Sequence, residues 1–105
     1  MLSRKSLLIT TFMTLIMSGA VQAETIQVTI KHHAFAPADI HAKVGDTIKW
    51  VNEDSVGHTV TAKGGWDLTL PPNKAASEVV KKAGEFNYHC SIHPSMKGHI
   101  TVAAK

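Results

Sequence analysis

Gly84-Glu85-Phe86-Asn87-Tyr88-His89-Cys90-Ser91-Ile92-His93-Pro94-Ser95-Met96-Lys97-Gly98 reads as a strand that runs into a short loop. Phe86, Tyr88 and Cys90 share one parity, the period-two signature of a strand with one buried face. From Ser91 the alternation stops and Pro, Ser and Gly take over, so the chain turns. The same pattern recurs on either side of this stretch. Ile26, Val28 and Ile30 alternate with Gln27, Thr29 and Lys31, until Ala36-Pro37-Ala38-Asp39 breaks the run. A second run carries Ile40, Ala42 and Val44 on one parity, and Gly45-Asp46 marks a turn. In Thr47–Asn52, Ile48 and Trp50 share a face; Glu53 to Gly57 is polar enough for a loop, and His58 to Ala62 is short and β-branched. Lys63-Gly64-Gly65 and Pro71-Pro72-Asn73 flank Leu68 and Leu70. Ser77 to Lys82 is a further strand candidate, and Ile100 with Val102 closes the chain. No helical period of useful length appears. Short strands with turn signals at close intervals predict an all-β sandwich or barrel.

Of the 105 residues, 44% are hydrophobic and 18% charged, which excludes a disordered chain. A single cysteine excludes an internal disulfide and any four-cysteine metal site within one chain. Residues 1–23 have the three parts of a secretory signal peptide: Arg4 and Lys5, an apolar run from Leu7 to Met17 broken only by threonines, and small residues ending at Ala23. The run is shorter than the roughly 20 residues of a spanning helix, and no cysteine follows the cut to carry a lipid, so no stable membrane anchor is expected. Cleavage after Ala23 leaves residues 24–105 as a single domain. It removes Arg4 and Lys5, lowers the formal charge from +3 to +1, and takes Met1, Met13 and Met17 with it. Neither a basic stripe nor a run of like charge remains, so nucleic acid is not an expected partner.

What remains in the loop is chemically pointed. An unpaired thiol in an exported chain is exposed to oxidation unless something holds it. Thiolate and thioether are soft ligands and imidazole is borderline, so Cys90, His93 and Met96 in one loop favour copper. His58, between a flexible loop and a strand start, is the best candidate for a fourth ligand. His32, His33, His41, His89 and His99 read as surface residues. Taken singly, Met96 reads more readily as core and His58 as a capped loop residue, and a buried core thiol is the lesser reading of Cys90; the combination and its spacing favour the metal. A hydrolase with Cys90 as nucleophile and His58 or His93 as base lacks an evident oxyanion hole or orienting acid, so no enzyme is expected.

Val44-Gly45-Asp46-Thr47-Ile48-Lys49-Trp50-Val51-Asn52 and Gly84-Glu85-Phe86-Asn87-Tyr88-His89-Cys90 resemble the corresponding strands of the cupredoxins, the small blue copper proteins. The Cys-x-x-His-x-x-Met spacing is similar to that of the amicyanin branch. This resemblance implies a Greek-key β-sandwich with one copper ion held by His58, Cys90, His93 and Met96. It implies a periplasmic monomer that passes single electrons between transient protein partners, such as a dehydrogenase donor and a c-type cytochrome acceptor. A copper chaperone or reservoir would use overlapping ligands. Relatives commonly have Pro-His-Asn where this chain has Gly57-His58-Thr59, and Thr59 is expected to pair with Ser91 in place of that Asn.

Overall fold

Alternation along each short strand builds two facing sheets, seen in a computed structural model that describes residues 22–105. One sheet contains β1 (Thr25–Lys31), β2 (Ala34–Ala36), β4 (Thr47–Asn52) and β7 (Ala75–Val79), in the order β2-β1-β4-β7. The other contains β3 (Asp39–Lys43), β5 (His58–Thr61), β6 (Asp67–Leu70), β8 (Gly84–His89) and β9 (Lys97–Ala103), in the order β3-β9-β8-β5-β6. The pairs β1/β4 and β3/β9 are parallel, so the chain crosses between sheets rather than folding as consecutive hairpins. Val28, Ile30, Ile48 and Trp50 from the first sheet meet Val60, Leu70, Tyr88, Ile100 and Val102 from the second, all buried. Trp50 lies at the centre, its ring 5.6 Å from Tyr88 and 6.1 Å from Trp66.

Two segments differ from the sequence reading. The strand candidate at Ser77 to Lys82 lies earlier, at Ala75–Val79. Beyond its end Val80 still meets the chain before β4, its N–H donating to the Asp46 carbonyl and its carbonyl accepting the Gly45 N–H, both at 2.8 Å, and its side chain is buried on the same parity as Ala76 and Glu78. The chain also forms a short strand, β2, before the break at Ala36. Lys31 pairs with Ala34, so His32-His33 is a two-residue hairpin turn. Both residues have positive φ, 53° and 59°, in positions where Asn and Gly are the usual occupants.

Asp46 shows how the sandwich tolerates a buried carboxylate. It accepts the Glu24 and Lys43 N–H groups, each at 2.9 Å, and the Lys43 ammonium lies 3.6 Å away. The hydrogen bond from Glu24, then that from Lys43, holds its carboxyl below the usual range despite burial. No helix among the described residues is long and apolar enough to cross a membrane. The proposed leader, apart from Gln22 and Ala23, lies outside the described residues.

Because β1 runs parallel to β4, and Thr61 at the end of β5 pairs with His89 at the end of β8 so that His58 and Thr59 lie beside the loop that follows β8, three loops gather at one end of the sandwich. They are the turn His32-His33, the β4–β5 loop Glu53–Gly57, and the β8–β9 loop Cys90–Met96. Every candidate ligand lies in or beside them.

Candidate metal centre

Cys90 follows β8 with its sulfur fully buried in the core, as the parity with Phe86 and Tyr88 predicts. The Thr59 N–H donates to Sγ at 3.3 Å. His58 Nδ1 and His93 Nδ1 face the same sulfur at 3.7 Å and 3.8 Å. Burial pushes the thiol up, but the Thr59 N–H and the two imidazoles outweigh it and bring the thiol down to about 6. At neutral pH the sulfur is therefore mostly thiolate, the form that binds metals.

The β8–β9 loop is fixed by its own backbone. Cys90 donates its N–H to the Met96 carbonyl at 3.1 Å, and Met96 donates to the His93 carbonyl at 2.9 Å. Met96 is buried at 2% exposure, whereas His93 is half-buried and Ile92 and Pro94 are exposed. Thr59 and Ser91 join the segments that carry His58 and Cys90, as expected. Ser91 N–H donates to Thr59 Oγ1 at 2.8 Å, and the two hydroxyls lie 3.1 Å apart.

Asp54 and Asn52 complete the site, and the sequence reading assigned neither a role. Asp54 Oδ2 accepts from His58 Nε2 at 2.8 Å. A carboxylate can only accept, so Nε2 carries the proton and Nδ1 is the atom left for the sulfur's proton or for a cation. The same carboxylate accepts the His32 N–H at 2.7 Å and the His33 N–H at 3.0 Å, holding the left-handed turn. Desolvation raises the Asp54 carboxyl, but these hydrogen bonds prevail and lower it to about 2. Fully buried Asn52 sits beneath. Its Nδ2 lies 2.9 Å from the Val56 carbonyl, 3.1 Å from that of Leu70 and 3.2 Å from that of Pro71, while its Oδ1 accepts the Asp54 N–H at 2.9 Å. Parity is the signal that could have found Asn52: it falls on the core face with Ile48 and Trp50, where a polar side chain needs partners. Asp54→Asn is expected to weaken metal binding about 10–100-fold, the usual cost of losing an oriented ligand partner. Chelator competition measures it, and wild-type affinity would remove Asp54 from the site.

Of the five histidines read as surface residues, His32, His33 and His41 are exposed and His89 is half-buried. His99 bridges Asp39 at 3.0 Å and Glu85 at 3.2 Å. His33 is exposed yet not remote: its ring meets those of His58 and His93 edge-on, with centroids 5.2 Å and 4.7 Å away.

A buried thiolate facing two imidazole nitrogens, with a thioether in the same loop, is a donor set suited to copper. Residues 6–102 match the family described as the cupredoxin-like domain. Amicyanin of Paracoccus denitrificans is 31% identical over 84 residues, 73% of this chain and 64% of that protein, so the match spans somewhat under two thirds of that relative. Methylamine utilization protein MauL of Methylorubrum extorquens is 36% identical over 88 residues, 79% of this chain and 77% of that protein. Among solved structures, a variant of amicyanin in its Cu(I) form superposes with a TM-score of 0.71 at 30% identity, covering 78% of this chain and 85% of that one. A two-sheet sandwich, a histidine, cysteine and methionine cluster at its end, and this similarity lead to one conclusion: the chain belongs to the cupredoxin-like domain family.

Proposed function

We propose that this chain is an exported type 1 copper protein that carries single electrons between other proteins, with His58, Cys90, His93 and Met96 as ligands. The observation that carries this reading is the convergence of His58 Nδ1 and His93 Nδ1 on the Cys90 sulfur, at 3.7 Å and 3.8 Å. Copper bound there supplies a one-electron couple between Cu(I) and Cu(II). The chain's part is to keep the ligands nearly still through the change. Asp54 fixes the His58 ring, Thr59 N–H holds the sulfur, and the Thr59–Ser91 contact ties the segments that carry His58 and Cys90 together. Two imidazoles, a thiolate and a thioether held nearly still would suit both oxidation states.

His93 is the ligand nearest solvent, and Ile92 at 58% and Val56 at 41% are large exposed apolar side chains in the loops at this end. Such a surface suits a brief, small-area encounter with a redox partner around a monomer. Relatives named amicyanin and methylamine utilization protein MauL support redox partners in methylamine use, and the dehydrogenase donor and c-type cytochrome acceptor that the resemblance implies fit that setting. Export to the periplasm fits the leader-like residues 1–23. Of the described residues, cleavage after Ala23 would remove only Gln22 and Ala23, both exposed, and the new ammonium at Glu24 would face Asp46 across an existing 2.9 Å hydrogen bond.

The test is one equivalent of Cu(II) added to the purified protein, followed by visible and EPR spectra and a reductive titration. An intense thiolate-to-copper band, bleached by one electron and restored on reoxidation, is expected. A weak band with rapidly exchanging copper would overturn the carrier reading in favour of a copper chaperone or reservoir.

A further inference from the structure

His33 has no part in the ligand set above, yet it completes a second one. One ring nitrogen each from His33, His58 and His93 lies within 4.8 Å of the others. The His33 ring stands nearly perpendicular to both neighbours, 86° to His58 and 89° to His93, in T-shaped contact with two imidazoles at once. A tetrahedral ion with nitrogen ligands at about 2.0–2.1 Å sets those nitrogens about 3.3 Å apart. Closing 4.8 Å to that spacing takes a shift of about 1–1.5 Å, within reach of side-chain rotation at an exposed residue.

The position of His33 is also built into the fold. It occupies a left-handed turn residue, φ 59°, a conformation few side chains of its size adopt. Asp54 holds that turn through the His32 and His33 N–H groups and orients His58 with the same carboxylate. Burial grades across the trio, from exposed His33 through half-buried His93 to buried His58. The three imidazoles therefore lead from solvent to the thiolate.

We propose that His33, His58 and His93 form an all-imidazole site for a divalent d-block ion, Zn2+ or Cu2+, at the mouth of the thiolate pocket. Three neutral imidazoles suit these ions and leave a position for water. The site shares two ligands with the copper centre, so the two exclude each other and this inference rests on that assignment of His58 and His93. The two ligand sets would differ in His33 at the mouth against Cys90 and Met96 within. The same geometry makes Zn2+ a competitor for the metal-free protein.

Titration of the Cys90→Ser protein with Zn2+ by calorimetry tests it, because the thiolate site is then gone. His33→Asn is the paired variant, since Asn tolerates the left-handed turn and keeps the backbone donor to Asp54. Cys90→Ser is expected to bind one Zn2+, and the double variant to bind it at least about 10-fold more weakly, the scale on which altering a metal shell acts. EPR of Cu2+ in the two proteins should show coupling to three nitrogens falling to two. Equal Zn2+ affinity and equal nitrogen coupling in both would overturn the proposal. Absence of the intense visible band in the wild-type protein would instead overturn the electron-carrier reading, and leaves the Zn2+ comparison intact.

Discussion

Cys90→Ser is expected to abolish the intense visible band of the Cu(II)-loaded protein and to lower copper affinity by more than the roughly 100-fold that outer-shell changes cost. Serine keeps the side-chain volume close, but its hydroxyl does not ionise near neutral pH and offers a hard oxygen in place of a soft sulfur. The Thr59 N–H then points at a poorer acceptor. A surviving intense band would show that the sulfur is not the ligand. The metal-free protein gives an independent reading of the same thiol. Its folded value of about 6 lies below the ordinary 9.0, so its contribution to stability is fully present above about 9 and is lost as pH falls through about 6. Between those values the stability of wild type relative to Cys90→Ser should rise with pH, by at most about 1.4 kcal/mol per unit. Denaturant unfolding of both proteins at pH 6, 7.5 and 9 measures it. A constant difference would show that Thr59, His58 and His93 do not favour the thiolate.

The parts of this site that were legible in the sequence are those whose cause is local. Phe86, Tyr88 and Cys90 announce β8 and the buried sulfur through parity alone, and the loop to Met96 is bounded by its own turn residues. The Thr59–Ser91 contact was legible only through resemblance, as the substitute for an expected Asn. Asp54 was not, because its partners His32 and His33 lie 22 and 21 residues away and a polar loop gives no sign of what it faces. His33 escaped for a related reason. Its sequence neighbourhood describes a strand end, while its proximity to His93 arises from the parallel pairing of β1 with β4 and the packing of one sheet on the other. Alternation along β7 puts Val80 on the less exposed parity of Ala76 and Glu78, and it is buried while Val79 is not.

Gly98→Ala is expected to destabilise the protein by about 3 kcal/mol or more, at or beyond the upper end of ordinary overpacking. Gly98 is paired with Tyr88 across β8 and β9, and a Cβ at Gly98 would fall on Tyr88 Cζ and its hydroxyl. Tyr88 has nowhere to go. It is 1% exposed, with the Phe35 ring 4.8 Å away on one contact and Trp50 5.6 Å away on another, both edge-on. Relief must come from the backbone, at the point where β8 and β9 enter the ligand loop. The next pair, His89 with Lys97, leads directly to Cys90 and Met96, so parting the strands strains the Cys90 N–H to Met96 carbonyl bond that closes the loop. A domain of this size should lose on the order of 10–20 °C in Tm for such a change, with metal affinity falling in parallel. Tyr88→Leu removes the ring that the new methyl would strike. The double variant should therefore be more stable than the sum of the two single losses by at least about 1 kcal/mol, the coupling expected of residues in contact. A Gly98→Ala protein within about 0.5 kcal/mol of wild type, the range of a neutral surface change, would show that β8 and β9 can part at this point without disturbing the ligand loop.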